Sequence, residues 1–460
     1  MAAAVAWAVL LGAGCAGTTQ QQVASDVGAE RETTTTTAPT TRPPDCASTL
    51  PTTGQAAQLL MVMVSEPTEA TESVEGGLVS GFGLKGNQRS DVEAAIAEAT
   101  ADVPLPAIVA VDEEGGTVQR LRYSAGRIPS AEDMAEGTPE EAAATFEEHG
   151  ARMAALGVTM DFAPVADVGE GGGLESRTYG DEPAVVGGFA TAVATALSAS
   201  GITPVVKHWP GIGGADEDPH DSLPTLAPVE DLRARDMVPF RAAFEAGVPA
   251  VMVAHAAVPG LTADDEPASL SRAAITDELR GREGFGGVVV TDSLGMGAVV
   301  NQMGQAEAAE RAIAAGADIA LLSGTDVVAD AHARLVEAIE EGRIPAAQVE
   351  ESVRRVLAMR GVEGECFDGV SAFAALAREE AEAAAQAQAE AEAEAEAETE
   401  GDGESDPTDT TDGSDGSDST DSTDSTDSTD STDSTDSTSG GTSSSSRGGE
   451  VTDSDINDPG

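Results

Sequence analysis

Eight short apolar runs rich in Val, Ile and Ala recur between Cys46 and Cys366, and this recurrence limits the fold more than any other feature of the chain. They are Leu59 to Val64, Gly77 to Gly81, Ile108 to Asp112, Thr159 to Phe162, Pro204 to His208, Ala250 to His255, Val288 to Asp292 and Asp318 to Leu322. Helix-like stretches separate most of them: Asp91 to Ala99, Glu140 to Ala155, Pro183 to Ala199, Asp231 to Ala246 and Gln305 to Ala315. Strands that are apolar throughout and alternate with helices imply a parallel sheet covered on both faces. Eight such units in a stretch of this length fit a closed (β/α)8 TIM-type barrel, in the α/β class, better than an open doubly wound sheet. The segment Ser65 to Glu75 leaves little room for a full helix between the first two strands.

In such barrels the chemistry sits at the C-terminal ends of the strands and in the loops that follow. Asp112, the pair Lys207 and His208, His255 and Asp292 each end a predicted strand. The loop from Lys207 to Pro224, KHWPGIGGADEDPHDSLP, concentrates rare residues. Lys207 is one of two lysines in the protein, the other being Lys85, and His208 and His220 are two of five histidines. The remaining histidines are His149, His255 and His332; His149 and His332 fall on predicted helices and are read as surface residues.

Three further stretches carry polar groups: VDEEGGTVQRL (Val111 to Leu121), DFAPVADV followed by ESRTYGDEP (Asp161 to Pro183), and PASLSR leading to GFGGVVVTDSLGM (Pro267 to Met296). With the Lys207 loop, these motifs make the chain resemble glycoside hydrolase family 3, in its single-domain β-N-acetylhexosaminidase branch, over roughly residues 50 to 365. The resemblance implies a retaining enzyme that removes terminal β-linked N-acetylglucosamine from cell-wall-type glycans, without a cofactor or metal. Asp292 then stands at the position of the nucleophile, and Asp218-Pro219-His220 at that of a histidine proton donor paired with an aspartate. A carboxylate can attack the anomeric carbon and later leave it, and a histidine titrating near neutrality can both give and take a proton. Asp112, Arg120, Arg177, Lys207 and His208 match positions that hold sugar hydroxyls, and His255 is a candidate pocket residue. Two positions depart from the family pattern: Ile212 where a histidine is usual, and Pro219 where a serine is common. The two-domain β-glucosidases of the family draw a glutamate from a second folded domain, so the Asp-x-His pair points to the hexosaminidase branch.

The flanks read differently. Residues 1–15 form an apolar leader ending in Cys15, which resembles a lipoprotein cleavage site and implies export with a lipid anchor at that cysteine. Residues 16–45 are rich in Thr, Ser, Gln and Pro and read as a disordered tether, while 46–375 form the barrel. Residues 376–460 are acidic and of low complexity, a composition that cannot bury enough apolar surface to offset chain entropy. In an exported protein Cys46 and Cys366 are expected to form a disulfide joining the ends of the domain.

The net charge is −58, and 26 of the 82 acids but one of the 24 bases fall between Glu379 and Gly460, so the remainder is itself strongly acidic. That excludes charge-driven binding of nucleic acid or anionic lipid. The expected partner is an amino-sugar glycan, with membrane contact only through the anchor and a monomeric chain. Two other classes compete: a Schiff-base lyase using Lys207, which needs an amine of depressed pKa, and a non-catalytic glycan-binding lipoprotein.

Overall fold

A computed structural model describes residues 46–362, 371–376, 378 and 386. Eight parallel strands close into a barrel: β1 Leu60–Val64, β2 Gly81–Leu84, β3 Ile108–Val111, β4 Met160–Asp161, β5 Thr203–Trp209, β6 Ala250–Val253, β7 Val288–Ser293 and β8 Ile319–Ser323. Each strand pairs with its neighbours in chain order, and β8 returns to β1 with Leu60 opposite Ala320 and Val62 opposite Leu322. The strands are apolar on both faces because each face meets a different core. Met61, Ala110, Met160, Val205, Met252, Val290 and Leu321 fill the barrel interior. Leu60, Val62, Val109, Val206, Val251 and Val289 pack outward against the helices.

Local chemistry explains the helix boundaries. Pro139–Ala155 starts at a reciprocal cap in which Thr138 accepts from the Glu141 amide and Glu141 accepts from the Thr138 amide, with Pro139 opening the first turn. Pro183–Ala199 and Gln305–Ala315 coincide with the expected helices. Between β1 and β2 the chain makes a 3-10 turn, Pro67–Ala70, and a single short helix, Thr71–Glu75.

Three expectations need correction. The second strand lies at Gly81–Leu84 rather than Gly77 to Gly81, because Gly77 has φ of 65° and belongs to the preceding turn. The helix expected over Asp231 to Ala246 is two, Val229–Ala234 and Val238–Glu245. Pro239, in the first turn of the second, has no amide hydrogen to continue the helical ladder through Arg235. His149 and His332 are buried, not on the surface. His149 donates from Nε2 to Glu113 Oε1 at 3.0 Å and accepts from Arg152 at Nδ1, while His332 bonds the Thr53 carbonyl.

The helices Cys46–Thr49 and Thr52–Gln58 precede β1 and lie at the N-terminal face of the barrel. Buried Phe373 reaches the same face, against Gly54 and Gly77. Cys46 is disulfide-bonded. Cys366, its expected partner, lies outside the described residues, as do Cys15, the tether and most of the acidic tail. Among the described residues no helix is long and apolar enough to cross a membrane.

Candidate active site

The opposite, C-terminal mouth holds one pocket lined by Asp112, Glu114, Arg120, Arg177, Lys207, His208, His220 and Asp292, with Lys85, Phe162, Ile212, Pro219 and Met296 among its other walls. Seven of the nine catalytic and binding candidates picked out in the sequence therefore meet there, contributed by the ends of β3, β5 and β7 and the loops after β3, β4 and β5. Asp218 stands behind His220, and His255 lies beneath the pocket rather than on its wall.

A hairpin directly after β3, Glu113–Gly115 paired with Val118–Gln119, sets the acidic side. The buried Glu113 carboxylate organises it, accepting from the amides of Arg120 and Leu121 at 2.7 and 2.9 Å and from the Gln119 side chain at 2.8 Å. Its neighbours on either side, Asp112 and Glu114, are thereby turned to the pocket. Lys207, rising from β5, donates to Asp112 Oδ1 at 2.5 Å and reaches Glu114 Oε1 at 2.7 Å. Arg177 grips Glu114 with two parallel bonds of 2.7 and 2.9 Å. Arg120 approaches the other Asp112 oxygen at 3.9 Å.

Burial alone would push the Glu114 carboxyl up, but Arg177 and Lys207 overcome it and hold the group far below the usual carboxylate range. Burial likewise opposes charge on Lys207, yet Asp112 and Glu114 leave its pKa above that of a free lysine. An amine held as ammonium cannot attack a carbonyl, which counts against the Schiff-base reading.

His208 is fixed from behind by the fully buried Asp167, which accepts from its Nδ1 at 2.7 Å and also from the amides of His208 and Ile212. Asp292 accepts from the Ser293 amide at 2.8 Å. Burial raises its pKa, but His208, His255, Lys207 and that amide more than compensate, so it lies below the ordinary aspartate value. His255 is wholly buried, donating from Nε2 to the Ser293 carbonyl at 2.8 Å and accepting from Ser269 at Nδ1 at 2.6 Å. Burial pushes its pKa down, and it props the β7 terminus from beneath.

The loop after β5 brings in the second titratable group. His220 donates from Nδ1 to Asp218 Oδ1 at 2.7 Å, and the same oxygen accepts the His220 amide at 2.9 Å. Both side chains are about one-third exposed, at 31% and 32%. The loop is held by main chain on two sides. The amides of Gly297 and Ala298, just after the β7 terminus, donate to the carbonyls of His220 and Pro219 at 2.9 and 3.1 Å. The amides of Gly171 and Gly172, in the loop after β4, donate to the carbonyls of Gly213 and Ala215. Two glycines permit this approach. A Cβ on Gly297 would stand 2.4 Å from the Asp221 carbonyl oxygen, and one on Gly173 2.4 Å from Asp218 Oδ2. Ile212 is buried in the pocket wall and Pro219 abuts it, so both departures from the family pattern line the site.

Reading the sequence missed Glu114, Asp167 and Lys85 as site residues. Glu114 and Asp167 lay inside motifs already singled out, next to Asp112 and before the Arg177 segment, but only their distant partners reveal what they do.

Residues 52–359 match the glycosyl hydrolase family 3 N terminal domain. The chain is 39% identical over 323 residues to the beta-hexosaminidase LpqI of Mycobacterium tuberculosis, covering 67% of this chain and 83% of that protein. Its structure superposes on a family 3 glycosyl hydrolase from Mycobacterium smegmatis with a TM-score of 0.64 at 38% identity, covering 67% of this chain and 97% of that one. A family 3 beta-N-acetylglucosaminidase from a Paenibacillus species gives a TM-score of 0.63 at 32% identity, over 70% of this chain and 63% of that one. A closed barrel with one charged mouth, matched along its whole length by that domain, makes this chain a member of glycoside hydrolase family 3.

Proposed function

We propose that the protein is a retaining glycosidase that removes terminal β-linked N-acetylglucosamine from cell-wall-type glycans through a covalent glycosyl-enzyme intermediate. The observation that carries this reading is that Asp292 and His220 line one pocket together with a mesh of paired carboxylates and cations. In this reading the Asp292 carboxylate attacks the anomeric carbon, and a depressed pKa keeps it ionised at working pH. His220, with Nδ1 engaged by Asp218, presents Nε2 to give a proton to the leaving oxygen. In the second step the neutral Nε2 takes a proton from the water that releases the sugar.

Asp112, Glu114, Arg120, Arg177, Lys207 and His208 are the sugar holders. Pairing the first five to one another, and His208 to Asp167, leaves each with directions fixed before substrate arrives, which lowers the entropic part of the barrier. The relatives named beta-hexosaminidase and beta-N-acetylglucosaminidase support the amino-sugar preference. Export, lipid attachment at Cys15, a Cys46–Cys366 bridge, a monomeric state and a role in peptidoglycan turnover complete the proposal.

The test is release of nitrophenol from the β-N-acetylglucosaminide, with the β-glucoside and β-xyloside alongside, and trapping with a 2-fluoro sugar followed by peptide mapping. The adduct is expected on Asp292. Labelling at another residue, or faster turnover of the glucoside, sinks the assignment.

A further inference from the structure

The pocket contains a cation that the sugar-holding mesh does not use. Lys85 follows β2 directly and lines the same pocket as Asp112 and Asp292. Its position is fixed by main chain. The Lys85 amide donates to the Val64 carbonyl at 2.9 Å, and the buried Gln88 side chain donates to the carbonyls of Lys85 and Ser65, each at 2.9 Å. The Gln88 amide in turn donates to the Arg120 carbonyl at 2.8 Å, tying this turn to the hairpin that shapes the acidic wall. Lys85 is half-buried as a residue, and its ammonium has no hydrogen bond or ion pair with any described residue.

Charge makes the point sharper. Leaving the two histidines aside, the pocket wall carries four cations, Lys85, Arg120, Arg177 and Lys207, against three carboxylates, Asp112, Glu114 and Asp292. Arg177 and Lys207 are matched by Glu114 and Asp112, and Arg120 leans on Asp112. A local positive excess in a molecule of net charge −58, which keeps only two lysines, is an unusual place for an idle ammonium. A partly desolvated ammonium at a pocket wall gains most from an anion that brings its own charge, because such charge-assisted bonds are about twice as strong as neutral ones.

We propose that Lys85 is an anion-recognition point that selects glycans carrying a carboxylate or phosphate on a sugar flanking the scissile bond over their neutral counterparts. The proposal rests on reading the pocket as a glycosidase subsite and adds the substrate's charge to that reading. Two sources of the anion share this chemistry: a substituent on the terminal sugar, or one on the leaving sugar.

The experiment compares wild type, Lys85→Met and Lys85→Arg. For the terminal sugar, kcat/KM is measured for nitrophenyl β-N-acetylglucosaminide and its 6-phosphate. For the leaving sugar, it is measured for N-acetylglucosamine β-linked to N-acetylmuramic acid and for the neutral N-acetylglucosamine disaccharide. One of the two anionic-to-neutral ratios is expected to exceed about tenfold in wild type, to fall to near one in K85M, to recover partly in K85R, and to shrink as salt screens the contact. The pair showing the ratio identifies the source. Calorimetric binding of N-acetylglucosamine 6-phosphate and of N-acetylmuramic acid, against N-acetylglucosamine, reads the same selectivity without turnover. Loss of turnover on every substrate with Lys85-dependent anion binding intact would overturn the glycosidase reading and leave the anion site standing. Ratios near one in wild type, or a preference that survives in K85M, overturn the role of Lys85.

Discussion

At the scale of single residues, the mesh of Asp112, Glu114, Arg177 and Lys207 is built from charges that neutralise one another, and this makes each of the four costly to remove. Glu114 is the clearest case, since it is 3% exposed and bridges Arg177 and Lys207. Glu114→Gln leaves two buried cations short of one carboxylate, and removing one partner from such a network typically costs roughly 3–5 kcal/mol. Urea unfolding of the variant is expected to show a loss of that order. The sign of its pH dependence follows from the depressed pKa. Wild type keeps the Glu114 contribution at all pH values above its ordinary 4.5 and loses it as pH falls from there through the lowered native pKa. The variant should therefore be less stable at pH 7 but show a shallower acid slope, and a parallel slope would refute the assignment. Asp292, also depressed, should stay ionised to below pH 3.8, so an acid limb in kcat/KM nearer neutrality belongs to another group. Asp292→Asn, which cannot form the proposed intermediate, should lose at least about a thousandfold in kcat; a smaller loss would move the nucleophile elsewhere. That Asp112, Lys207, His220 and Asp292 would meet at one mouth was legible in the sequence because each ends a strand or sits in a motif. Glu114 and Asp167 were not, because the bonds that define them join residues 63 and 41 positions apart.

At the scale of elements, the strand and helix pattern was readable wherever one period ran uninterrupted, as over Pro183–Ala199. It failed where a local backbone constraint decided the boundary: the left-handed Gly77 before β2, and Pro239 splitting the helical stretch after β5. The expected surface positions of His149 and His332 failed for a related reason, since a helix face is buried or exposed by what packs on it. The loop bearing Asp218 and His220 depends on its main-chain seat beside β7. Gly297→Ala would drive a Cβ into two carbonyl oxygens, at 2.4 Å for Asp221 and 2.6 Å for His220. If His220 is the proton donor, as proposed, a shift of it by about 1 Å can cost up to about a hundredfold in rate. The expected outcome is a fall in kcat of about 10- to 100-fold, and unchanged kcat would show that the seat does not position His220.

At the scale of the whole molecule, the acidity has a thermodynamic consequence. A chain with 82 acids and 24 bases repels itself when compact, and this repulsion is screened as the Debye length contracts from about 10 Å in 0.1 M salt to about 3 Å in 1 M. The melting temperature should therefore rise by several degrees over that range, as read by scanning calorimetry. A flat or falling trend would mean that the surface ion pairs, such as those of Arg343 with Glu337 and Glu341, outweigh the repulsion. The barrel closure was legible from the count of apolar runs, whereas the placement of its first and last described segments was not. Cys46 and Phe373 both lie on the face where the strands begin, and the charged mouth opens where they end. Any attachment made through either end of the barrel therefore holds it by its floor, turning the charged mouth outward so that anchorage and entry to the pocket never compete for the same surface.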